Sequence, residues 1–265
     1  MKMRIKVLIT FFVFMLLICG CSKKNANYFH RIEINGRYEI VGKYPVSEEK
    51  INNIKCYHFV YGESKKLIKI EYLVKGKLHN SEYDKFAQVL FEYSDEYEKR
   101  IFQDSRNRQI ENINGVYSIR IKFDKNNYPI SLFNYNKNGV LAPDKKGVTQ
   151  YLWTTNKNGQ RINSVKLNIK GDRIEDNDGF YEERWKYDEN GNVTEESYYD
   201  ADEQLKEKEG FAVQRWKYDE QGICIGTTIY NNKTNLIYKS VYLYDENGKH
   251  IKTVIYDDKG NFVLQ

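Results

Sequence analysis

The stretch that decides the fold is Trp185-Lys186-Tyr187-Asp188-Glu189-Asn190-Gly191, followed twelve residues after Tyr187 by a second pair, Tyr199-Asp200. The same pattern returns at Tyr218 and at Tyr244, and each copy is again followed after twelve residues by a second tyrosine. A fixed internal period is typical of repeat architectures, in which each unit buries its apolar face against its neighbours.

The repeat extends towards the N-terminus when the first tyrosine of each copy is numbered position zero. Position −2 then holds a large aromatic or aliphatic residue, position +4 is usually glycine, and a further glycine often stands six residues before position −2. We therefore predict seven units spaced 26 to 32 residues apart, with zero positions at Tyr61, Tyr93, Phe123, Thr155, Tyr187, Tyr218 and Tyr244.

Each unit has the pattern of a β-hairpin. A Gly-aromatic pair such as Gly179-Phe180 is expected to start the outgoing strand, and the Asp and Gly after position zero are expected to make the turn. Because side chains alternate along a strand, we expect Trp185 and Tyr187 to share one face with Ser197 and Tyr199. The prediction is an all-β chain: an elongated array of about seven antiparallel β-hairpin units in a meandering, twisted or solenoid-like sheet.

The repeat resembles the YD (RHS-type) repeats of bacterial surface and toxin proteins, in which Tyr-Asp-x-x-Gly-Asn stands between strands. It is also similar to MORN-type repeats, which are short β-hairpins that end in glycine. The resemblance covers roughly residues 55 to 265. It implies a β-repeat scaffold.

The N-terminus indicates where the chain is located. Lys2, Arg4 and Lys6 precede an apolar run of 13 residues, which is shorter than the roughly 20 residues of a membrane-spanning helix. The run ends in Leu17-Ile18-Cys19-Gly20-Cys21, which resembles the bacterial lipobox. That resemblance implies cleavage after Gly20, acylation such as palmitate on Cys21, and anchoring to a bacterial membrane on its periplasmic or exterior side. An uncleaved anchor and an ordinary secretory signal are the alternatives.

These observations divide the chain into four parts. We predict a lipoprotein signal peptide over residues 1–20, a polar tether over 21–30, N-terminal capping strands over 31–54 and tandem hairpins of about 31 residues over 55–265. The chain has 42 Lys+Arg against 37 Asp+Glu, but three of the basic residues lie in the signal-like segment, so the net charge of +5 does not favour nucleic-acid binding. Cys56 and Cys224 are expected to be isolated thiols.

The sequence contains few signs of catalysis. His30, His58, His79 and His250 have no partner at metal-ligand spacing, and phosphate-binding, dinucleotide-binding and nucleophile motifs are absent. We therefore expect no metal, no cofactor and no enzymatic activity. A separate hypothesis is an enzyme with a dispersed active site. A deep polar pocket with converging carboxylates would favour it.

The aromatic row is the strongest candidate for function. The simplest interpretation is that its tryptophans form the core of the array; the functional one is a stacking surface for a glycan or peptide, with an Arg/Lys row beside it. The candidate binding residues are Trp153, Trp185, Tyr187, Trp216, Tyr218, Arg184 and Arg215. The leading hypothesis is a non-enzymatic envelope lipoprotein whose array binds a protein or glycan. The alternative is an immunity or accessory lipoprotein for a co-produced toxin or secreted enzyme.

Overall fold

The structure is a computed structural model that describes residues 27–245 and 250–264, so the predicted signal peptide and Cys21 lie outside the described residues. The described chain is almost entirely β, with one short 3-10 helix at Glu48–Asn53. The strands are β1 (Tyr28–Ile34), β2 (Ile40–Val46), β3 (Lys55–Tyr61), β4 (Leu67–Val74), β5 (Lys77–Leu78), β6 (Gln88–Tyr93), β7 (Tyr97–Gln103), β8 (Ser118–Phe123), β9 (Pro129–Tyr135), β10 (Gln150–Thr155), β11 (Arg161–Leu167), β12 (Glu182–Tyr187), β13 (Val193–Tyr199), β14 (Val213–Tyr218), β15 (Cys224–Tyr230), β16 (Leu236–Tyr244), β17 (His250–Asp257) and β18 (Phe262–Leu264).

The strands form one open, meandering antiparallel sheet, which confirms the predicted fold class. The seven predicted units are the hairpins β3–β4, β6–β7, β8–β9, β10–β11, β12–β13, β14–β15 and β16–β17. Every predicted zero position is the last residue of an outgoing strand. Successive hairpins pair with each other through their neighbouring strands, as β11 does with β12 and β13 with β14.

The turn after position zero is built as expected. Asp188 accepts the backbone N–H of Asn192 at 2.8 Å, and Gly191 has a φ of +86°, which glycine adopts without a Cβ penalty. The turn places a β-bulge between Lys186 and Tyr187. A bulge puts two residues opposite one and shifts the pairing by one position.

That shift makes one prediction wrong. Trp185 lies opposite Glu196, while Ser197 lies opposite Arg184 on the other face. Because directly paired residues share a face, Ser197 and Tyr199 are on the face opposite to Trp185. We call the face that carries Phe59, Ile121 and Trp153 the inner face, and the face that carries Arg184 and Arg215 the outer face.

The Gly-aromatic pairs also differ from the prediction. Gly179 is the closing residue of a turn with a φ of +85°, and the strand begins only at Glu182. Phe180 is fully buried behind this turn. This turn and two earlier turns of the same form stack one on the next: the backbone N–H of Lys145 donates to the carbonyl of Asn114, and that of Asn177 donates to the carbonyl of Lys146. We call the three turns, at residues 112–116, 144–148 and 176–180, the edge turns.

The residues expected to cap the array instead cover its inner face. We call β1 and β2, with the loop between them, the N-terminal hairpin. β1 pairs with β3 at only two positions, Tyr28 and Phe29, and then crosses the sheet. Its tip reaches β11, where the backbone N–H of Arg161 donates to the Gly36 carbonyl at 2.9 Å. Tyr28 also belongs to the predicted tether, so the tether is shorter than expected.

The main core lies between the N-terminal hairpin and the sheet. Its buried residues run along the chain from Tyr57 to Trp153, and Phe29, Ile32 and Ile40 of the hairpin pack against them. A smaller cluster joins Val46, Cys56 and Leu73. Cys56 and Cys224 are both free, which confirms that they are isolated thiols.

Candidate functional site

The predicted tryptophans lie in one row on the inner face but differ in burial. Trp153 is only 6% exposed and packs under the ring of Tyr38, with 4.7 Å between the ring centroids. Trp185 and Trp216 are half-buried, and the indole N–H of Trp185 donates to the Glu196 carboxylate at 3.2 Å. Trp153 is therefore a core residue, while Trp216 retains an accessible surface.

The predicted binding tyrosines join neighbouring units. The hydroxyl of Tyr187 donates to the backbone carbonyl of Arg161 at 2.7 Å, and that of Tyr218 donates to the carbonyl of Val193 at 2.9 Å. Tyr244 makes the equivalent bond to Cys224 at 2.7 Å. Burial raises the pKa of Tyr218 to about 12. Each hydroxyl is thus committed to holding its hairpin against the preceding one.

The predicted arginines stand on the outer face, away from the tryptophans. The guanidinium of Arg184 lies 4.0 Å from the ring centroid of Tyr199, and that of Arg215 lies 4.8 Å from the ring of Tyr230. Arg215 also bonds Glu195 at 2.7 Å. Since adjacent residues in a strand point to opposite faces, Trp185 and Arg184 do not form one ligand surface.

Arg161, which the sequence did not single out, is the centre of the contacts between hairpin tip and sheet. Its guanidinium carbon lies 4.6 Å, 4.9 Å and 5.2 Å from the ring centroids of Tyr38, Trp153 and Trp185. Its Nε donates to the Gly36 carbonyl at 3.3 Å. Burial lowers the pKa of this guanidinium, as expected for a cation held among aromatic rings.

A polar cavity of about 220 Å³ lies beside Arg161. The N-terminal hairpin covers it with Tyr38, the edge turns close one side, and the inner face of β8–β12 forms its floor. Charged and polar groups from the N-terminal hairpin, from two of the edge turns and from the strands of the floor therefore meet in one place. The principal polar lining residues are Asn112, Asn134, Asp144, Lys146, Tyr151, Arg161, Ser164 and Glu183.

Buried charges continue from the cavity along the inner face. Lys166 is completely buried and pairs with the equally buried Asp176 at 2.6 Å. Its ammonium group also lies over the ring of Phe180. Burial lowers the pKa of Lys166, since the charged form loses its water. Burial, with nearby Glu183, raises the pKa of Glu196.

The sequence did carry a signal for the buried charges on the inner face. Lys166 stands at position +11 of its unit, where other units have Tyr198 and Ile229, and the bulge places position +11 on the inner face. A lysine at such a position would have been recognised as unusual if the pairing had been known. The cavity itself had no local signal, because its residues come from distant units and from the crossing hairpin.

Searches for other kinds of site found little in the described ranges. Residues 27–245 and 250–264 contain no group of three or more His, Cys, Asp or Glu side chains arranged to hold a metal ion. In the same ranges, no helix has the length and apolar character needed to cross a membrane. The predicted lipidation site, Cys21, lies outside them.

Comparison with known proteins gives weak similarities to solved structures alone. No protein-family model and no curated protein matches the chain. A Photorhabdus luminescens Tc holotoxin in its pore form is similar with 10% identity and a TM-score of 0.28, over 77% of this chain and 12% of that one. The TcdB2-TccC3-Cdc42 complex is similar with 9% identity and a TM-score of 0.22, over 89% and 16%.

A porin-like protein from Bacteroides uniformis is similar with 9% identity and a TM-score of 0.27, over 76% of this chain and 88% of that one. This chain therefore spans 12% and 16% of the length of the two toxin chains. At such TM-scores these similarities carry no argument about function.

Proposed function

We propose that this chain is a non-enzymatic lipoprotein of the bacterial cell envelope, anchored through Cys21, whose β-repeat array binds a protein or a glycan. The partner surface that we propose is the part of the inner face that follows the main core along the chain. There, Trp216 and Tyr242 continue the aromatic row on β14 and β16.

The observation that carries this proposal is the uneven burial of the inner-face side chains. The buried apolar cluster ends at Trp153, and the tip of the hairpin lies against Arg161 and Tyr187. Trp216 and Tyr242 are half-buried and stand on a hydrogen-bonded sheet that holds them in place. Tryptophan and tyrosine on a rigid surface are the side chains that most often carry binding energy.

The last strands add exposed apolar surface to this end of the array. Leu243, Ile251, Phe262 and Val263 are each exposed by 44% to 64%. Leu243 directly follows Tyr242 in β16 and therefore lies on the opposite face, so it is not part of the proposed surface.

The polar cavity is the feature that would favour an enzyme, since Asp144 and Glu183 both line it. We prefer binding because the hydrogen bonds of Asp144 are already used. Its carboxylate accepts the hydroxyl of Tyr151 at 2.6 Å and the turn N–H groups of Lys146 and Val148. A carboxylate held in this way serves the turn and is poorly placed to move protons.

The anchor is tested by replacing the lipobox cysteine. Cys21→Ala is expected to abolish acyl labelling and to release the protein from the membrane fraction, because it removes the thiol that the lipid would modify. The matched control is Cys19→Ala, which removes the neighbouring cysteine and should leave both unchanged. Membrane association and labelling that persist in Cys21→Ala would exclude this anchor.

The binding surface is tested by capture of partners from native envelope with the chain from Ser22 onward. Trp216→Ala should reduce the captured partner at least tenfold, while the matched control Lys217→Ala, from the adjacent residue on the other face, should not. Equal capture by both variants would contradict the proposed surface. A co-produced toxin as the captured protein would assign the immunity role.

A further inference from the structure

We propose that the cavity beneath the tip of the N-terminal hairpin binds a small zwitterion, such as a free α-amino acid, between the Arg161 guanidinium and the Glu183 carboxylate. This site is separate from the partner surface around Trp216 and does not depend on it. At about 220 Å³ the cavity is smaller than the roughly 300–1,000 Å³ of sites for drug-sized ligands, so its ligand is small.

Most polar groups in the cavity wall already have protein partners. The ammonium group of Lys146 bonds Asp178 at 2.8 Å, and the hydroxyl of Ser164 accepts the indole N–H of Trp153 at 3.1 Å. Asp144 is held by Tyr151 and by its own turn. These groups shape the cavity and leave few free contacts for a ligand.

Arg161 and Glu183 are the exceptions. Within the described ranges, the Arg161 side chain makes one hydrogen bond, from Nε to the Gly36 carbonyl, and its terminal nitrogens have no protein acceptor. The nearest cation to the Glu183 carboxylate is Lys166, at 3.7 Å, and Lys166 is engaged more closely by Asp176, at 2.6 Å. Both residues line the cavity, yet no ion pair joins them among the described residues.

The opposite signs of these two groups determine the ligand class. A guanidinium presents a planar pair of donors that matches a carboxylate, and a glutamate accepts hydrogen bonds from an ammonium group. In a site of low dielectric, a neutral sugar would offer Arg161 no counter-charge and would leave Glu183 with no cation closer than Lys166, at 3.7 Å. A simple anion would face Glu183, and a simple cation would face Arg161. A ligand with a carboxylate and an ammonium a few bonds apart satisfies both.

Calorimetric titration of the full chain in detergent tests this proposal, with glycine as the probe and acetate and methylammonium as its separate halves. Glycine is expected to saturate with a Kd of about 1 mM or tighter, and each half should bind at least tenfold more weakly. Glu183→Gln should weaken glycine binding at least tenfold, because it removes the charge and keeps the shape. Arg161→Lys should do the same by removing the planar donor pair.

The matched control is Glu175→Gln, which changes an exposed glutamate paired with Lys206 outside the cavity and should bind glycine as the unmodified chain does. Circular dichroism checks that each variant is folded. If Arg161→Lys does not fold, the glycine affinity of Glu183→Gln is the deciding measurement. Failure of glycine to saturate, or equal binding by acetate or methylammonium, would overturn the proposal. Undiminished glycine binding by Glu183→Gln would do so as well.

Discussion

At the scale of single residues, the buried pair of Lys166 and Asp176 is the feature most sensitive to mutation. Both side chains are fully buried, so Lys166→Met leaves a carboxylate without its counter-charge. Breaking such a pair costs about 3–5 kcal/mol, whereas replacing both partners is far milder. We expect Lys166→Met to lower the free energy of unfolding by about that amount in urea titrations.

The double variant Lys166→Met with Asp176→Asn should regain most of this loss, because asparagine still accepts the turn N–H groups of Asp178 and Phe180. The control is Lys186→Met, since Lys186 pairs with Glu195 but its side chain is 71% exposed. An exposed pair contributes about 0–1 kcal/mol. Equal losses in the single and double variants would show that packing of the lysine stem, and not its charge, is responsible.

Glu196 gives a prediction on pH. Burial, with nearby Glu183, raises its pKa above the ordinary value of 4.5. The folded state therefore holds this proton more tightly than the unfolded state, and the free energy of unfolding falls as pH rises through the range above 4.5. Glu196→Gln should be more stable than the unmodified chain at about pH 8, and the difference should vanish by about pH 4.

Glu195 is the control with the opposite sign. Although burial acts in the other direction, hydrogen bonds from Lys186 and Arg215 lower its pKa. Its ionised form therefore stabilises the fold above its unfolded pKa, and this contribution is lost as pH falls. Glu195→Gln should be less stable at neutral pH, with the difference fading in acid. Parallel pH profiles for the two variants in thermal melts would contradict both assignments.

At the scale of elements, the N-terminal hairpin is anchored at its tip as well as through Phe29, Ile32 and Ile40 in the main core. Tyr38 packs on Trp153 and Arg161, and its carbonyl accepts the Arg100 guanidinium at 2.7 Å. We expect Tyr38→Ala to destabilise the fold by about 3 kcal/mol, the lower end for loss of a large aromatic side chain. The tryptophan fluorescence should also shift to longer wavelength as water reaches Trp153.

The control for this change is Lys43→Ala, because Lys43 lies on the same hairpin with its side chain 49% exposed. A surface change of this kind usually alters stability by less than about 0.5 kcal/mol. If Tyr38→Ala behaves like Lys43→Ala, the tip does not hold the hairpin on the sheet.

The hairpins could be predicted because their causes are local. An aspartate that bonds its own turn and a glycine at positive φ act within five residues, so Asp188 and Gly191 reveal the turn of their own unit without its neighbours. The face of the sheet on which each side chain lies was harder to predict. A single bulge beside Tyr187 moves every side chain of the returning strand to the opposite face from the one that simple alternation gives. The position of the N-terminal hairpin was not predictable, since the contact of Gly36 with Arg161 joins residues that share no repeat position.

At the scale of the whole molecule, stability should be unevenly distributed. In a repeat array each unit contacts its neighbours, so a unit without additional contacts opens more easily. The hairpins from β3 to β11 carry the main core, whereas β16 to β18 have exposed Leu243, Ile251 and Phe262. We expect backbone amides of β16 and β17 to exchange with deuterium faster than those of β8 to β10, as measured by mass spectrometry.

The comparison is internal, because both regions are hairpins of the same type within one sheet. Uniform protection along the array would mean that the sheet opens as one cooperative unit. In that case the N-terminal hairpin would also stabilise strands that it does not contact.

The hydroxyl bonds of the zero-position tyrosines set a rule for how such a chain can change in length. Tyr187 reaches Arg161 in the preceding unit, and Tyr218 reaches Val193 in the same way, so each bond spans one junction. A duplication or loss of one complete unit after β13 would restore every such bond at the new junction. The structure therefore permits a change in the number of units at this point of the array. Upstream, a change in length would also have to preserve both the pairing of Tyr28 with β3 and the bond between Gly36 and Arg161.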